Sequence, residues 1–401
     1  MAEQSYVYII IGAGLAGASA IEGIRQHDKN KRVLLVGREK FLPYDRPPLS
    51  KKLWSGQQQV KDIFLHPRGF YEDSGIDLLL DCRITEIDRR HKLIRDEKGT
   101  QYRYEKLLLA TGGRPRRLDV PGGELEGVCY YRYLGDYLEI RRQAGRGKSA
   151  VVIGGGFIGS EIAAALKMNN TDVTMVFPEK YICSRVFPDY LGESMQERYT
   201  QRGIKVLNED RPVSLAKKAD KFITRTQNSG EIVSDMVIVG IGIAPDIQLA
   251  EAAGLKTGNG IVVNDRLQTS DPDIYAAGDN AFFPYPLSGK LMRIEHWDNA
   301  VKQGKLAGMN MAEVNQVFRD LPYFFSDLFE FGYEAVGEID AKMPAFADWQ
   351  EENSKGVIYY LSERRVKGIM LCNVWKKARI AQEVIRKNEE IEAKSLRGLI
   401  G

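Results

Sequence analysis

A glycine-rich turn between an apolar strand and a helix occurs twice in this chain, and this repeat most restricts how the sequence can fold. The first copy begins with the strand Tyr6–Ile11, passes through the turn, and enters a helix that ends near Gln26. A second strand, Arg32–Val36, follows the helix. The three glycines of this turn are Gly12, Gly14 and Gly17. The pattern predicts a βαβ unit with parallel strands and a right-handed crossover.

The second copy has the same order. Its first strand is Ala150–Ile153, its helix ends near Met168, and its second strand is Asp172–Phe177. The turn contains Gly154, Gly156 and Gly159. Two βαβ units of about 30 residues predict an α/β protein with two Rossmann-type domains.

The G-x-G-x-x-G spacing suits a dinucleotide for three reasons. The first glycine allows the tight turn, the second lets a pyrophosphate approach the backbone, and the third lets helix and strand pack closely. The helix N-terminus then directs its free N–H groups at the phosphates. One copy alone is as consistent with a structural turn, whereas two copies in the same context favour two dinucleotide sites.

An acidic residue follows each unit at the position where a carboxylate can accept hydrogen bonds from ribose hydroxyls. These residues are Glu39 and Glu179. A carboxylate at Glu179 would repel a 2′-phosphate, so we expect NADH to be preferred over NADPH. Lys180 and Arg185 lie nearby in the sequence and could weaken that preference. The alternative for either glutamate is an exposed loop residue.

Further strands and turns divide the chain into three domains. The segments Arg114–Gly123 and Gly242–Pro245 are rich in proline and glycine and predict crossings between domains. We expect the first dinucleotide domain at residues 1–117 and 246–320 and the second at 118–245. From residue 321 to 401, short strands and a closing helix predict a C-terminal α+β domain. The expected elements there are Glu334–Ile339, Gly356–Leu361, Val366–Leu371 and the helix Trp375–Lys387.

Composition excludes several classes of function. The net charge is +3 over 401 residues, without the concentrated basic face of a nucleic-acid-binding protein. No apolar run approaches the roughly 20 residues of a membrane span. The four cysteines have neither CxxC nor metal-ligand spacing, which predicts thiols in a reducing compartment and no metal site. The first apolar run lacks a basic leader, so we expect a cytoplasmic protein.

Four further segments, together with the two turns, resemble the FAD-dependent pyridine nucleotide reductases. This family includes ferredoxin, putidaredoxin and rubredoxin reductases and apoptosis-inducing factor. The segments occur in the family order and span most of the chain. They are Leu42–Lys51, Ala110–Arg116, Ile274–Asp279 and Glu295–Ala300. The resemblance implies that the first domain binds FAD and the second binds NADH.

Within the family, four segments look most like the apoptosis-inducing-factor branch. They are Phe177–Lys180, Ser326–Leu328, Gly332–Ala335 and Lys355–Leu361. The link between Ile339 and Gly356 is shorter than the long insertion found in that branch, and the sequence shows no mitochondrial leader. These two differences weigh against a cell-death role, and the flavin chemistry does not depend on them.

The resemblance places Lys51 and Glu161 beside the reacting edge of the flavin. A cation there favours the negative charge that develops on reduction, and a carboxylate keeps the lysine charged and oriented. For each residue alone, the alternative is an exposed charge on the surface. Phe157, inside the second turn, is expected as a gate over the ring or, alternatively, as ordinary packing between helix and sheet.

The resemblance also implies a set of cofactor contacts. Arg46 suits the FAD phosphates or ring, because a guanidinium matches a phosphate fork. Asp279 is expected to accept hydrogen bonds from the ribityl hydroxyls. Glu295, His296 and Trp297 are expected to line the flavin pocket. The other expected contacts are Thr111, Gly112, Arg132 and Gly278.

The loop that carries a cysteine pair in the dithiol reductases has Pro47, Pro48 and Ser50 here. Electrons are therefore expected to leave from the flavin itself. One hypothesis is an oxidoreductase that passes them to a ferredoxin, rubredoxin, quinone or dye. The alternative is a redox-sensing protein whose NADH-bound form controls its partner surface. The sequence leaves the oligomeric state open, with a homodimer among the options.

Overall fold

The computed structural model describes residues 4–400, which divide into two compact units. Unit 1 contains the chain up to Asp45, Lys61–Arg114 and Ala244–Pro322, and unit 2 contains Arg46–Val60, Pro115–Ile243 and the chain from Tyr323 onward. The segment Arg46–Val60 thus groups with unit 2, whereas the sequence placed it in the FAD domain. The expected third domain groups with the second. The three-domain division stays a prediction.

The first stretch of the chain contains both strands of the first βαβ unit. Its elements are β1 (Gln4–Ile11), α1 (Leu15–His27), β2 (Val33–Val36), α2 (Arg68–Asp73), β3 (Ile76–Leu79), β4 (Ile84–Asp88), β5 (Leu93–Asp96), β6 (Gln101–Leu109) and β7 (Gly113–Pro115). The middle stretch contains the second βαβ unit. Its elements are β8 (Val128–Tyr130), α3 (Leu134–Gln143), β9 (Ser149–Ile153), α4 (Phe157–Met168), β10 (Asp172–Val176), α5 (Asp189–Gln201), β11 (Lys205–Leu207), β12 (Pro212–Lys218), β13 (Lys221–Thr226), β14 (Gly230–Ser234), β15 (Met236–Val239) and β16 (Ile243–Pro245).

The last stretch first completes unit 1 and then adds an antiparallel sheet to unit 2. Its elements are α6 (Gln248–Ala252), β17 (Thr257–Gly258), β18 (Gly260–Val262), β19 (Ile274–Ala276), β20 (Ala281–Pro284), β21 (Leu291–Met292), α7 (Trp297–Met311), β22 (Tyr323–Leu328), β23 (Phe331–Gly337), β24 (Ala345–Glu351), β25 (Lys355–Ser362), β26 (Arg365–Cys372) and α8 (Ala378–Lys387).

The main sheet of unit 1 has the order β3-β2-β1-β6-β5-β4, with β19 also paired to β6. Strands β1, β2, β3, β6 and β19 are parallel, as the βαβ pattern requires, and Ile10 is paired with Leu35 on one side and Leu108 on the other. Because parallel strands are covered on both faces of the sheet, their sequences are continuous apolar runs. The fully buried Ile9, Leu35 and Leu107 belong to this core.

Helices α1 and α7 of unit 1 pack at close range. A Cβ placed on Gly304 would lie 2.2 Å from the carbonyl oxygen of Ala16, and one on Gly308 would lie 2.0 Å from that of Ala20. Only glycine permits such an approach between two helix backbones. This contact supports α1, which begins at the first glycine turn.

Unit 2 contains three sheets. The first is a parallel sheet of order β11-β10-β9-β15-β8, built around the second βαβ unit, and the second is the antiparallel sheet β12-β13-β14. The third is antiparallel, with the order β22-β23-β26-β25-β24. Helix α8 begins at Ala378 and not at Trp375 as expected, because Lys376 has a left-handed φ of 63°, which a helix cannot accommodate. The expected fold class, two Rossmann-type domains with a C-terminal α+β region, is confirmed.

Candidate functional site

In the first glycine turn, close packing requires two of the three glycines and leaves room for a side chain at the third. A Cβ on Gly12, whose φ is +122°, would lie 2.0 Å from the carbonyl oxygen of Ala110, and one on Gly17 would lie 2.0 Å from that of Gly12. A Cβ on Gly14 would meet nothing within 4 Å among the described residues. Packing therefore explains Gly12 and Gly17, and Gly14 faces open space.

The second turn repeats this division. A Cβ on Gly154 would lie 2.4 Å from the carbonyl oxygen of Gly240, and one on Gly159 would lie 1.9 Å from that of Gly154. Gly156 meets no atom of residues 4–400 within 4 Å. Helices α1 and α4 start directly after Gly14 and Gly156, and within the described chain neither has a side-chain cap or an acidic residue in its first turn. Their N-terminal N–H groups therefore suit an anion.

The two candidate ribose carboxylates occupy matching positions, three residues beyond β2 and β10. Glu39 is half-buried, and its Oε2 accepts a hydrogen bond from the Tyr44 hydroxyl at 2.8 Å. Glu179 is also half-buried, and its carbonyl oxygen accepts from the backbone N–H of Glu209 at 3.1 Å. Lys180 and Arg185 are exposed neighbours. Both glutamates therefore lie on loops that the surrounding chain supports.

Lys51 and Glu161 form a buried ion pair in unit 2. The distance from Lys51 Nζ to Glu161 Oε1 is 2.6 Å, and the side chains are 12% and 4% exposed. Glu161 lies in the second turn of α4, shortly after the second glycine turn. The Phe325 ring centroid lies 5.7 Å from Lys51 Nζ. A fixed pair of opposite charges thus lies next to the second dinucleotide turn.

Two aromatic residues hold the loop that carries Lys51. The carbonyl oxygen of Leu49 accepts hydrogen bonds from the Tyr131 hydroxyl at 2.5 Å and from Trp54 Nε1 at 2.8 Å. Burial keeps the pKa of Tyr131 well above its ordinary value, so the hydroxyl stays a donor. Trp54 and Tyr131 were not predicted as site residues, because no local pattern in the sequence connects them to Leu49.

The remaining candidates of unit 2 are Phe157, Arg46 and Arg132, and each of them contacts another side chain. The Phe157 and Phe324 ring centroids lie 5.4 Å apart, so Phe157 packs against β22. The Arg46 guanidinium carbon lies 5.7 Å from the Tyr133 ring centroid. The backbone N–H of Arg132 donates to Asp136 at 2.8 Å. The roles expected for these three residues stay predictions.

Four candidates of unit 1 lie in two short segments, Thr111–Gly112 and Gly278–Asp279. The Thr111 hydroxyl donates to the carbonyl oxygen of Asp246 at 2.6 Å, and Gly112 has a φ of +67°. Gly278 has a φ of +87°, and a Cβ there would lie 3.1 Å from the Cβ of Ala16, which is in α1. The carbonyl oxygen of Asp279, the next residue, accepts from Arg293 at 3.1 Å.

The segment Glu295–Trp297 leads into α7. Arg293 forms an ion pair with Glu295 at 2.5 Å, and Trp297 Nε1 donates to Asp45 Oδ1 at 2.5 Å. Burial lowers the pKa of His296 to about 4, although Asp279 acts in the opposite direction. His296 is therefore neutral near pH 7.

The residues present fit two dinucleotides. Gly14 and Gly156 each leave room where a Cβ would stand, and each is followed by an uncapped helix N-terminus. Two buried polar atoms of unit 1, Asn280 Oδ1 and Gln303 Nε2, have no hydrogen-bond partner among the residues described. Gln303 Oε1 accepts from the N–H of Gly278, so the unmatched amide lies beside a candidate cofactor contact. Such groups favour a polar ligand in unit 1.

Comparison with known proteins shows the family to which the chain belongs. The sequence pattern of the pyridine nucleotide-disulphide oxidoreductase family matches residues 6–304, about three-quarters of the chain. The chain belongs to this family. The predicted resemblance is confirmed, and the protein is an FAD-dependent pyridine nucleotide oxidoreductase.

Several curated members of the family are similar to this oxidoreductase. Rubredoxin-NAD(+) reductase of Pseudomonas putida is 35% identical over 82% of this chain and 86% of its own length. Peroxisomal monodehydroascorbate reductase 4 of Arabidopsis thaliana is 32% identical over 92% and 79% of the two chains. Mitochondrial apoptosis-inducing factor 1 of Dictyostelium discoideum is 31% identical over 97% and 80%.

A solved structure shares the fold of the oxidoreductase. The covalent putidaredoxin reductase–putidaredoxin complex contains a chain with a TM-score of 0.92 and 30% identity, and the match covers 99% of this chain and 96% of that one. The fold match therefore extends over the antiparallel sheet and α8 as well as the two βαβ units.

The cysteines of the oxidoreductase are free thiols, and no disulfide joins them within residues 4–400. Burial raises the pKa of Cys82 to about 11 and that of Cys183 to about 12. Where the structure describes the chain, no group of three His, Cys, Asp or Glu side chains could hold a metal. None of the helices described is long and apolar enough to cross a membrane.

Proposed function

We propose that this oxidoreductase takes a hydride from NADH onto FAD and passes single electrons to a small redox protein. The observation that carries the proposal is the buried Lys51–Glu161 pair, which follows the second of two open glycine turns. FAD, when bound, supplies the two-electron acceptance and one-electron release that no side chain provides. The chain supplies position, charge and exclusion of water.

Lys51 supplies a positive charge in a site where little water remains to screen it. Because the pair is nearly buried, the attraction between its charges is stronger than at the surface. Glu161 holds Lys51 Nζ at 2.6 Å and so limits where that charge can lie. We propose that this fixed positive charge stabilises the negative charge that the cofactor gains on reduction.

We propose that NADH is preferred over NADPH because Glu179 would bond the ribose hydroxyls and repel a 2′-phosphate. The position of Glu179 after β10 supports this, as does the NAD(+) named for the relatives from Pseudomonas putida and Burkholderia cepacia. The exposed Lys180 and Arg185 oppose it and set how strict the preference is.

A ferredoxin or rubredoxin is the proposed acceptor. The similar proteins named above include a rubredoxin reductase and a putidaredoxin reductase solved with putidaredoxin. Residues 354–401 hold eleven basic and five acidic side chains, which would attract an acidic partner. The alternative is that these basic side chains form a solvated surface with no docking role. The raised pKa values of Cys82 and Cys183 keep these thiols protonated, so electrons would leave from the flavin.

A redox-sensing role is the second candidate. The match to apoptosis-inducing factor of Dictyostelium discoideum covers 97% of the chain, including the C-terminal sheet. In this role, the NADH-reduced protein would persist and change its partner surface. We propose a homodimer as the form of the protein in which that change would be observed. The free thiols support the cytoplasm as the proposed compartment under either function.

Steady-state assays separate the two candidates. The purified holoprotein is mixed with NADH and with rubredoxin, ferredoxin, a quinone or monodehydroascorbate in turn. The proposal expects rapid turnover with one of the iron–sulfur or iron proteins. Slow reoxidation with all acceptors, together with a long-lived complex with NAD+, would instead favour the redox sensor.

A further inference from the structure

Glu161 receives three hydrogen bonds from two separate parts of unit 2, the loop that carries Ser50 and Lys51 and strand β22. Its Oε1 accepts from Lys51 Nζ at 2.6 Å and from the Ser326 hydroxyl at 2.5 Å. Its Oε2 accepts from the Ser50 hydroxyl at 2.5 Å. The carboxylate thus joins the loop that carries Lys51, helix α4 and strand β22.

The carboxylate and both serines lie away from water. Ser50, Glu161 and Ser326 are 5%, 4% and 2% exposed. A buried carboxylate is costly unless donors replace its hydration. Lys51 supplies one donor, and the two serines supply the others. The serines therefore stabilise the charged carboxylate and also determine its orientation.

The backbone around Ser326 is well placed to fix that orientation. Ser326 lies within β22, where it is paired with Tyr333 of β23. Its neighbours on β22, Phe324 and Phe325, contact Phe157 and Lys51 respectively. A rigid strand thus presents the hydroxyl, and the carboxylate has little freedom to rotate away from Lys51.

We propose that Ser326 and Ser50 are positioning residues for hydride transfer, which hold the Glu161 carboxylate so that Oε1 faces Lys51. This proposal rests on the proposed role of the Lys51–Glu161 pair. Neither serine reacts. Without the Ser326 hydroxyl, Oε1 would keep Lys51 as its donor but lose the bond that limits rotation, and the lysine charge would move with the carboxylate.

The test compares Ser326→Ala with Ser326→Thr in the holoprotein. Rates of flavin reduction by NADH are measured under anaerobic single-turnover conditions. We expect Ser326→Ala to be slower by about tenfold, in keeping with a hydrogen bond to a charged group. Ser326→Thr keeps the hydroxyl and should recover most of the rate. Ser50→Ala should also be slower, because it removes the donor to Oε2.

A matched control separates positioning from loss of packing. Ser234 is likewise buried in unit 2, with its hydroxyl donating to a backbone carbonyl at 2.9 Å, and Ser234→Ala should leave the rate unchanged. The decisive comparison uses Glu161→Ala, which removes both oxygens that accept from the serines. If Ser326 acts through Glu161, adding Ser326→Ala to Glu161→Ala should slow reduction by less than about twofold.

A full tenfold loss from Ser326→Ala in the Glu161→Ala background would overturn the proposal, because the serine would then act without the carboxylate. Unchanged rates in Ser326→Ala and Ser50→Ala, with Glu161→Ala slow, would also overturn it while leaving the proposed function intact. If Glu161→Ala itself reduced at the wild-type rate, the proposed role of the pair would fail first. Flavin content and thermal unfolding of each variant establish that it is folded.

Discussion

At the scale of single residues, the chemistry centres on one carboxylate. Glu161 and Lys51 are 110 positions apart in the chain and yet lie 2.6 Å apart. Family resemblance identified both residues, because each lies in a recognisable segment. It did not identify Ser326 as a third member, although the segment Ser326–Leu328 had been noted. A serine carries no pattern of its own, and its partner is set by how β22 packs against α4.

Removing either member of the ion pair should slow hydride transfer. In Lys51→Ala or Glu161→Ala, one buried charge is left without its partner, which costs more than losing both. The double variant should therefore be less impaired than the sum of the two single effects. Flavin reduction by NADH is measured by rapid mixing for the wild type and all three variants. Strictly additive effects would contradict a functional contact between the two side chains.

Glu179 should control the choice of nicotinamide cofactor. Glu179→Arg removes the carboxylate and adds a cation that can pair with a 2′-phosphate. The ratio of NADH to NADPH efficiency should fall by a factor of roughly ten to a hundred. Glu126→Arg makes the same charge change at an exposed position elsewhere in the chain and serves as the control. An unchanged ratio in Glu179→Arg would make that residue an ordinary loop charge.

At the scale of elements, the segments with a local sequence pattern were the ones that could be predicted. Both glycine turns and the strands and helices around them are predicted from spacing alone, since the turn requires specific glycines. Strand β24 was missed because its side chains are exposed or half-buried throughout, so no apolar alternation marks it. Residues 46–60 join the rest of unit 2 through contacts such as the hydrogen bond from the Tyr131 hydroxyl to the Leu49 carbonyl oxygen, which the local sequence does not encode.

The two kinds of glycine in the second turn should respond differently to alanine. Gly159→Ala places a Cβ 1.9 Å from a backbone oxygen, so the turn must shift, and unfolding should become easier by about 1–3 kcal/mol. Gly156→Ala has open space, so stability should change by less than about 1 kcal/mol. Its NAD+ affinity should still fall, because the methyl group occupies the approach of the pyrophosphate. Thermal unfolding and calorimetric titration with NAD+ measure the two effects.

The opposite ranking would contradict the assignment of the turn. If Gly156→Ala unfolded more easily and bound NAD+ normally, the open side of the turn would serve folding. The matched pair Gly14→Ala and Gly17→Ala tests the first turn in the same way, with FAD retention as the binding measurement.

At the scale of the whole molecule, one histidine should affect stability in acid. The pKa of His296 is lowered to about 4 from its ordinary value of 6.5, so the unfolded chain binds this proton more readily. Stability should therefore fall as the pH drops from about 6.5 to about 4. His296→Asn removes the titration, so its unfolding midpoint should vary less over that window. Equal slopes for wild type and variant would show that other groups govern acid unfolding.

Under the proposed function, NADH delivers its electrons to FAD alone, without a disulfide as a second acceptor. An anaerobic titration of the purified holoprotein tests it most directly, with flavin absorbance followed as NADH is added and free thiols counted before and after. One NADH per FAD should complete flavin bleaching, and the number of free thiols should stay constant. Consumption of two NADH per FAD with the appearance of new thiols would reveal a disulfide as a second acceptor, and failure of NADH to bleach the flavin would contradict the reduction of FAD by NADH.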